Sequence, residues 1–129
     1  MSLRDVGLWG PVILVAGAIF TLSHMPSPPS PPGAPDWLLH GAEFGLLSLL
    51  LARALAGGWR GRLSPRRAML TMFLGMLYGA ADEWHQSFIP GRHAAAKDWA
   101  ADSAGTLLGL VAAAAIPRLW RAWEFPPSQ

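Results

Sequence analysis

The chain has 129 residues, 52% hydrophobic and 14% charged, with 10 Lys and Arg against 8 Asp and Glu and no cysteine. That balance is too apolar for a soluble domain of this size and predicts one integral membrane domain over residues 1–129, while the missing cysteines exclude a disulfide framework and thiolate metal sites. The basic excess is split among short segments and carries no base-reading motif, which argues against a nucleic-acid partner.

From about Val6 to Met25 there is no Lys, Arg, Asp or Glu. About 20 residues at about 1.5 Å each cross a ~30 Å hydrocarbon layer, so this is the first expected span. Its basic start is the single Arg4, and no small-x-small cleavage site follows, so the helix is expected to stay attached rather than be removed as a signal. Six prolines between Met25 and Pro35 remove backbone donors and predict an extended connector.

The second span is predicted from about Asp36, as N-cap, to Ala56, where Gly57-Gly58 stops the helix. A basic loop with Arg60, Arg62, Arg66 and Arg67 leads through Pro65 into a third span, about Arg67 to Phe88. Ile89-Pro90-Gly91-Arg92 interrupts it, and the fourth span runs from near Lys97 to Ile116-Pro117. Arg118, Trp120, Arg121 and Trp123 in the tail suit an interfacial anchor. The expected fold is therefore all-α: a membrane bundle of four transmembrane helices with a re-entrant or broken loop before the fourth.

Positive charge orients it. The N-terminus, the 57–67 loop with Arg53 beside it, and the C-terminal tail hold 8 of the 10 positive residues, which puts both termini in the cytoplasm. The proline-rich connector and the loop before the fourth span then face outward. Asp36, Glu43, Asp82, Glu83, Asp98, Asp102 and all four histidines fall on that same outer side.

Ionisable groups cost at least a few kcal/mol at mid-bilayer, so these residues are expected to face one another or a wet cup. The predicted binding set is His40, Glu43, Asp82, Glu83, Gln86, Arg92, Asp98 and Asp102. So many acids in one cup must be protonated, paired with a base, or held round a cation. Arg92 is the expected internal counter-charge, turned back over the cup by Pro90-Gly91. His40 and Glu43 could form a metal pair, although no HExxH occurs. His24 and His93 are expected at the interface, and His85 is expected to face outward beside Trp84.

Small residues follow the same periodicity: Gly75, Gly79, Asp82 and Gln86 line one stripe of the third span, and Asp98, Asp102, Gly105 and Gly109 one stripe of the fourth. The expectation is that these two stripes pack together, with Gly41, Gly45 and Ser48 as a further small face on the second span.

The run DEWHQSFIPGRHAAAKDWAADSAGTLLG, Asp82 to Gly109, resembles the signature of VanZ-like membrane proteins: D-E-x-x-Q, then F-x-P-G-R, an Asp, and G-x-x-x-G. His40 with Phe44 resembles the family's H-x-x-x-[YF] element, and Phe20 to Ser23 its aromatic-x-x-Ser ending. Two positions depart from the pattern: Trp37 stands where members often have Lys, and Asp102 where many have Asn. The resemblance implies a bacterial cytoplasmic-membrane protein of the cell envelope, linked to resistance against the glycopeptide antibiotic teicoplanin. It carries no established reaction.

Three functions follow as expectations. The first is a binder of a polar or phosphate-bearing envelope molecule, lipid-linked or peptidoglycan-related. The second is a membrane-embedded hydrolase or transferase with Glu83 or Asp82 as general base and His40 as partner, with or without a metal. The third is a structural or partner-binding bundle whose polar groups only glue the helices. Neither a cofactor nor an oligomeric state is indicated by any motif.

Overall fold

A computed structural model describes residues 2–124, with side chains as far as Arg118, and contains four helices: α1 (Leu3–Ser23), α2 (Asp36–Ala56), α3 (Pro65–Gln86) and α4 (Ala96–Glu124). No strand occurs among the described residues. The proposed anchor side chains Trp120, Arg121 and Trp123 lie outside the described ones.

Capping chemistry explains where the helices begin and end. Ser2 and Asp5 form a capping box, each side chain accepting from the other's backbone N–H, so α1 starts three residues before Val6. Pro35 is the N-cap of α2, and Asp36, expected as the cap, is its first helical residue. A proline just before it already fixes an extended approach, and Asp36 then complements the positive helix end.

At the other end of α2, Gly57 takes φ +83°, and Gly57 and Gly58 N–H groups reach back to the Ala54 and Arg53 carbonyls. That paired closure needs the left-handed conformation which glycine supplies without strain. Ser64 caps α3 through the Arg67 N–H, with Pro65 at the first helical position.

Two prolines lie inside helices. In α1, Pro11 cannot donate to the carbonyl of Gly7, and Arg53 of α2 donates there instead, Nη1 to O at 3.1 Å. In α4, the expected end at Ile116-Pro117 is overturned, because the helix continues through Pro117 to Glu124. Proline's fixed φ is helical and only one i−4 bond is lost, so the ladder resumes beyond it.

The bundle is polar inside and apolar outside. A small apolar core of Val12, Ile19, Phe44, Leu47 and Leu51 joins α1 to α2, but His40, Asp82, Glu83, Gln86, Asp98 and Asp102 are also buried. Large apolar side chains point outward, among them Leu14 (75% exposed), Leu108 (69%) and Phe73 (62%). That is the reverse of a water-soluble domain and suits a lipid surround.

Three helical stretches, Leu3–Ser23, Asp36–Ala56 and Ala96–Arg118, are long and apolar enough to cross a membrane. The third helix is less apolar, since its inner face carries Thr71, Asp82, Glu83 and Gln86; its outer face shows Met69, Phe73, Leu77 and Trp84.

The tightest helix crossing joins α2 to α4. A Cβ on Gly105 would run into the backbone of Gly41, and one on Gly109 into that of Gly45. Two G-x-x-x-G pairs therefore face each other, letting the backbones meet closely where lipid supplies no hydrophobic drive. Ser48 Oγ adds a 2.6 Å bond to the Thr106 carbonyl. This corrects the expectation that Gly105 and Gly109 pack on the third span. The face of α4 turned to α3 carries Asp102 and Thr106, which sit against Gly79 and Gly75.

A longer bond ties α3 to α1, where the Tyr78 hydroxyl donates to the Ala16 carbonyl at 2.7 Å. Tyr78→Phe is expected to lower stability by only about 0.5–1 kcal/mol, because that carbonyl keeps its place in the α1 ladder. Thermal melting of the purified protein in detergent measures it.

Candidate functional site

The start of α2, the end of α3 and the start of α4 meet at one end of the bundle, and the end of α1 closes the fourth side with Ser23. Apart from Arg92 in the loop before α4, the site residues are placed by helical register. Asp82 and Gln86 are four apart on α3, as are Asp98 and Asp102 on α4, so each pair faces inward from consecutive turns.

The floor is His40 with two acids. His40 Nδ1 lies 2.9 Å from Asp102 Oδ1, where an imidazole N–H donates to a carboxylate, and 3.9 Å from Glu83 Oε1. Asp102 is fully buried. The second oxygen of Glu83 accepts the Ala95 backbone N–H at 2.8 Å, which fastens the loop before α4 onto the end of α3. Asp36 and Asp98 flank the same histidine; the closest donor atoms of Asp36, His40 and Asp98 all lie within 4.8 Å of one another.

Above the floor runs a chain of neutral and cationic donors. Gln86 Nε2 donates to Asp82 Oδ2 at 2.8 Å and to Ser23 Oγ at 3.3 Å, and Gln86 Oε1 accepts from Arg92 Nη2 at 2.8 Å. A cavity opens between them, lined by Ser23, Asp36, His40, Glu43, Gln86 and Arg92, with Pro28 and Pro29 of the connector on one wall. A broader groove continues from Asp36 and Arg92 past His93 and Lys97.

All eight expected binding residues thus come to one end, with two changes of role. Arg92 does fold back, as the Gly91 turn (φ +86°) allows, but its partner is the Gln86 amide rather than a carboxylate. Asp82 is held by Gln86 and is not the partner of His40; Asp102 is. Of the two general-base candidates, only Glu83 stands beside the imidazole. Glu43 is half-buried on the cavity wall.

His85 is not turned away from the protein. It is half-buried, 3.3 Å from His24 across ring nitrogens and packed on Phe20. Ser23, Asp36 and the Ala95 N–H complete the site without having been singled out as its members. For Ser23 the usable signal was its place at the end of an aromatic-x-x-Ser element; a backbone N–H leaves none.

Electrostatics makes the floor demanding. The donor atoms of His40, Glu83 and Asp102 lie within 4.8 Å of one another, and two carboxylates at such a distance repel by about 3 kcal/mol at an effective dielectric near 20. Glu83 Oε1, Asp98 Oδ1 and Asp102 Oδ2 are buried with no hydrogen-bond partner among the described residues. Such an arrangement can hold a proton, a cation or a ligand's donor groups. The two serines nearest the acids in sequence, Ser87 and Ser103, are engaged elsewhere, their hydroxyls donating to the Trp84 and Trp99 carbonyls.

Comparison with known families places this geometry in context. The model of the VanZ/LLP1 family matches residues 37–118, which spans α2, α3, the loop carrying Arg92 and most of α4. No curated protein and no solved structure matches the chain. Every floor residue, His40, Glu83 and Asp102, falls inside the matched stretch, and the chain belongs to the VanZ/LLP1 family.

Proposed function

We propose that the protein spans the bacterial cytoplasmic membrane with all four helices, both termini inside, and that its cup opens outward to bind a polar, phosphate-bearing envelope molecule. A lipid-linked or peptidoglycan-related group has the required chemistry, and such binding would connect the chain to glycopeptide resistance. One observation carries the reading: Arg92 is held by the Gln86 amide at the mouth of a cavity and makes no ion pair among the described residues, so its charge and its remaining N–H groups are available to a phosphate. Arg53, Arg60, Arg62, Arg66 and Arg67 sit at the opposite end of α2 and α3, which supports the orientation.

Titration of the purified protein in nanodiscs with a polyprenyl phosphate tests the binding. Arg92→Gln is expected to weaken it about ten- to a hundredfold, the loss of a charged hydrogen bond. Failure to bind any phosphate-bearing lipid or soluble precursor would sink this reading. Orientation is separately measurable, because the chain has no cysteine of its own. A single cysteine at Ser30 should react with an impermeant maleimide on intact spheroplasts, and one at Arg62 only after lysis.

A second reading, hydrolysis or transfer on a lipid-linked substrate, is favoured by the His40–Asp102 pair with Glu83 beside it, an arrangement suited to proton transfer. Turnover of a lipid-linked phosphate, lost in Glu83→Gln while binding persists, separates it from the first.

A further inference from the structure

We propose that His40, Glu83 and Asp102 bind one divalent transition-metal cation, of the zinc or manganese class, at the floor of the cup. The site is independent of any envelope ligand: the three donors come from three different helices and converge whether or not the cavity above them is filled.

The geometry is near that of a formed site. Ligand atoms round one such ion, each about 2.0–2.2 Å from it, lie no more than about 4.4 Å apart. Here the three lie within 4.8 Å, and His40 Nδ1 to Asp102 Oδ1 at 2.9 Å is already a separation that adjacent ligands adopt. A shift of a few tenths of an ångström by Glu83 Oε1, now 3.9 Å from the imidazole, would close the set.

Three further facts favour a cation over a plain hydrogen-bond network. First, the network leaves its own oxygens unserved: Glu83 Oε1 and Asp102 Oδ2 have no hydrogen-bond partner among the described residues, although both residues are more than nine-tenths buried. Second, the ligands are oriented from behind, as metal ligands are: the far oxygen of Glu83 is fixed by the Ala95 N–H. Third, Asp36 and Asp98 form a second group of possible ligands round the same histidine, with Asp98 Oδ1 also unpartnered among the described residues, which adds negative charge beside the site.

Donor chemistry selects the ion. One imidazole nitrogen with carboxylate oxygens suits zinc, manganese or iron(II), whereas magnesium and calcium favour all-oxygen shells and soft ions favour thiolates, of which there are none. The cavity lined by Asp36, His40 and Glu43 provides an approach. On binding, the cation takes the place of the proton between His40 Nδ1 and Asp102 Oδ1, so protons are released.

The test uses the full chain purified in detergent, stripped with a chelator and titrated with Co²⁺, followed by Zn²⁺ competition and elemental analysis after dialysis. The expected result is a visible ligand-field spectrum saturating at one equivalent per chain, displaced by Zn²⁺, with a rise in melting temperature. Glu83→Gln and Asp102→Asn, which keep side-chain shape, should each weaken binding about a hundredfold. A paired His24→Gln, His85→Gln variant should bind normally. A folded wild-type chain that gives no spectrum and retains no metal overturns the proposal, as does binding unchanged in both acid variants or abolished in the His24/His85 variant. If the acid variants fail to fold, the wild-type titration alone decides.

Discussion

Replacing Gly105 of α4 by alanine is expected to cost more stability than a single-methyl addition at either inward glycine of α2, Gly41 or Gly45. The new Cβ would meet the carbonyl oxygen of Gly41, with its carbonyl carbon at 2.8 Å and Cα at 2.9 Å. Those are backbone atoms, and no rotamer change relieves them; α2 and α4 must separate. Overpacking of a core costs about 1–3 kcal/mol when side chains can shift, and a backbone clash belongs at or above the top of that range. The opposed glycines give an internal control. A Cβ on Gly45 lies 3.4 Å from the Gly105 oxygen and one on Gly41 3.6 Å from the Ala101 oxygen, both ordinary contacts. Gly41→Ala and Gly45→Ala should therefore melt within about 1 kcal/mol of the parent. Equal melting of Gly105→Ala and Gly45→Ala would refute this crossing.

His40→Ala is the second large effect. It strips Asp102 of its one side-chain partner, leaving a fully buried carboxylate with neither oxygen satisfied. Removing one member of a buried pair costs about 3–5 kcal/mol, whereas replacing both by apolar groups of similar size is often neutral. His40→Ala should thus fall sharply in melting temperature, and the double variant His40→Phe, Asp102→Leu should recover most of it. Envelope-ligand binding should be absent from both. A double variant that folds and still binds would show that this pair serves packing alone.

How much of this was legible beforehand depends on what each feature needs. Chain stops written by backbone chemistry could be found: Gly57-Gly58 ends α2 because the closure requires positive φ, and Ser64-Pro65 opens α3. Pro117 misled, because a proline inside a helix and a proline ending one differ only in what surrounds them. The polar residues of the cup stood out because they sit in apolar segments where they are costly, and all eight do converge.

Pairings were harder. Each residue along a helix turns the side chain by about 100°, so Gly105 and Gly109, three residues beyond Asp102 and Thr106, sit about 60° round α4 and face α2 while those two face α3. A list of small residues names the stripe but not its neighbour. Similarly, that Arg92 would turn inward followed from the Pro90-Gly91 bend, but its choice of the Gln86 amide over an acid depends on the loop path that Glu83 sets through Ala95.

The Gly7 carbonyl, left without a helical donor by Pro11 and capped by Arg53, has an effect on how the molecule can move. Together with Arg4 donating to the Gly57 carbonyl at 3.3 Å, it latches the first helix to the second at the arginine-rich rim. Those latches involve main-chain oxygens, so neither emptying nor filling the far pit touches them. Motion between these two rods should then pivot about that rim, with the wider swing at their opposite ends.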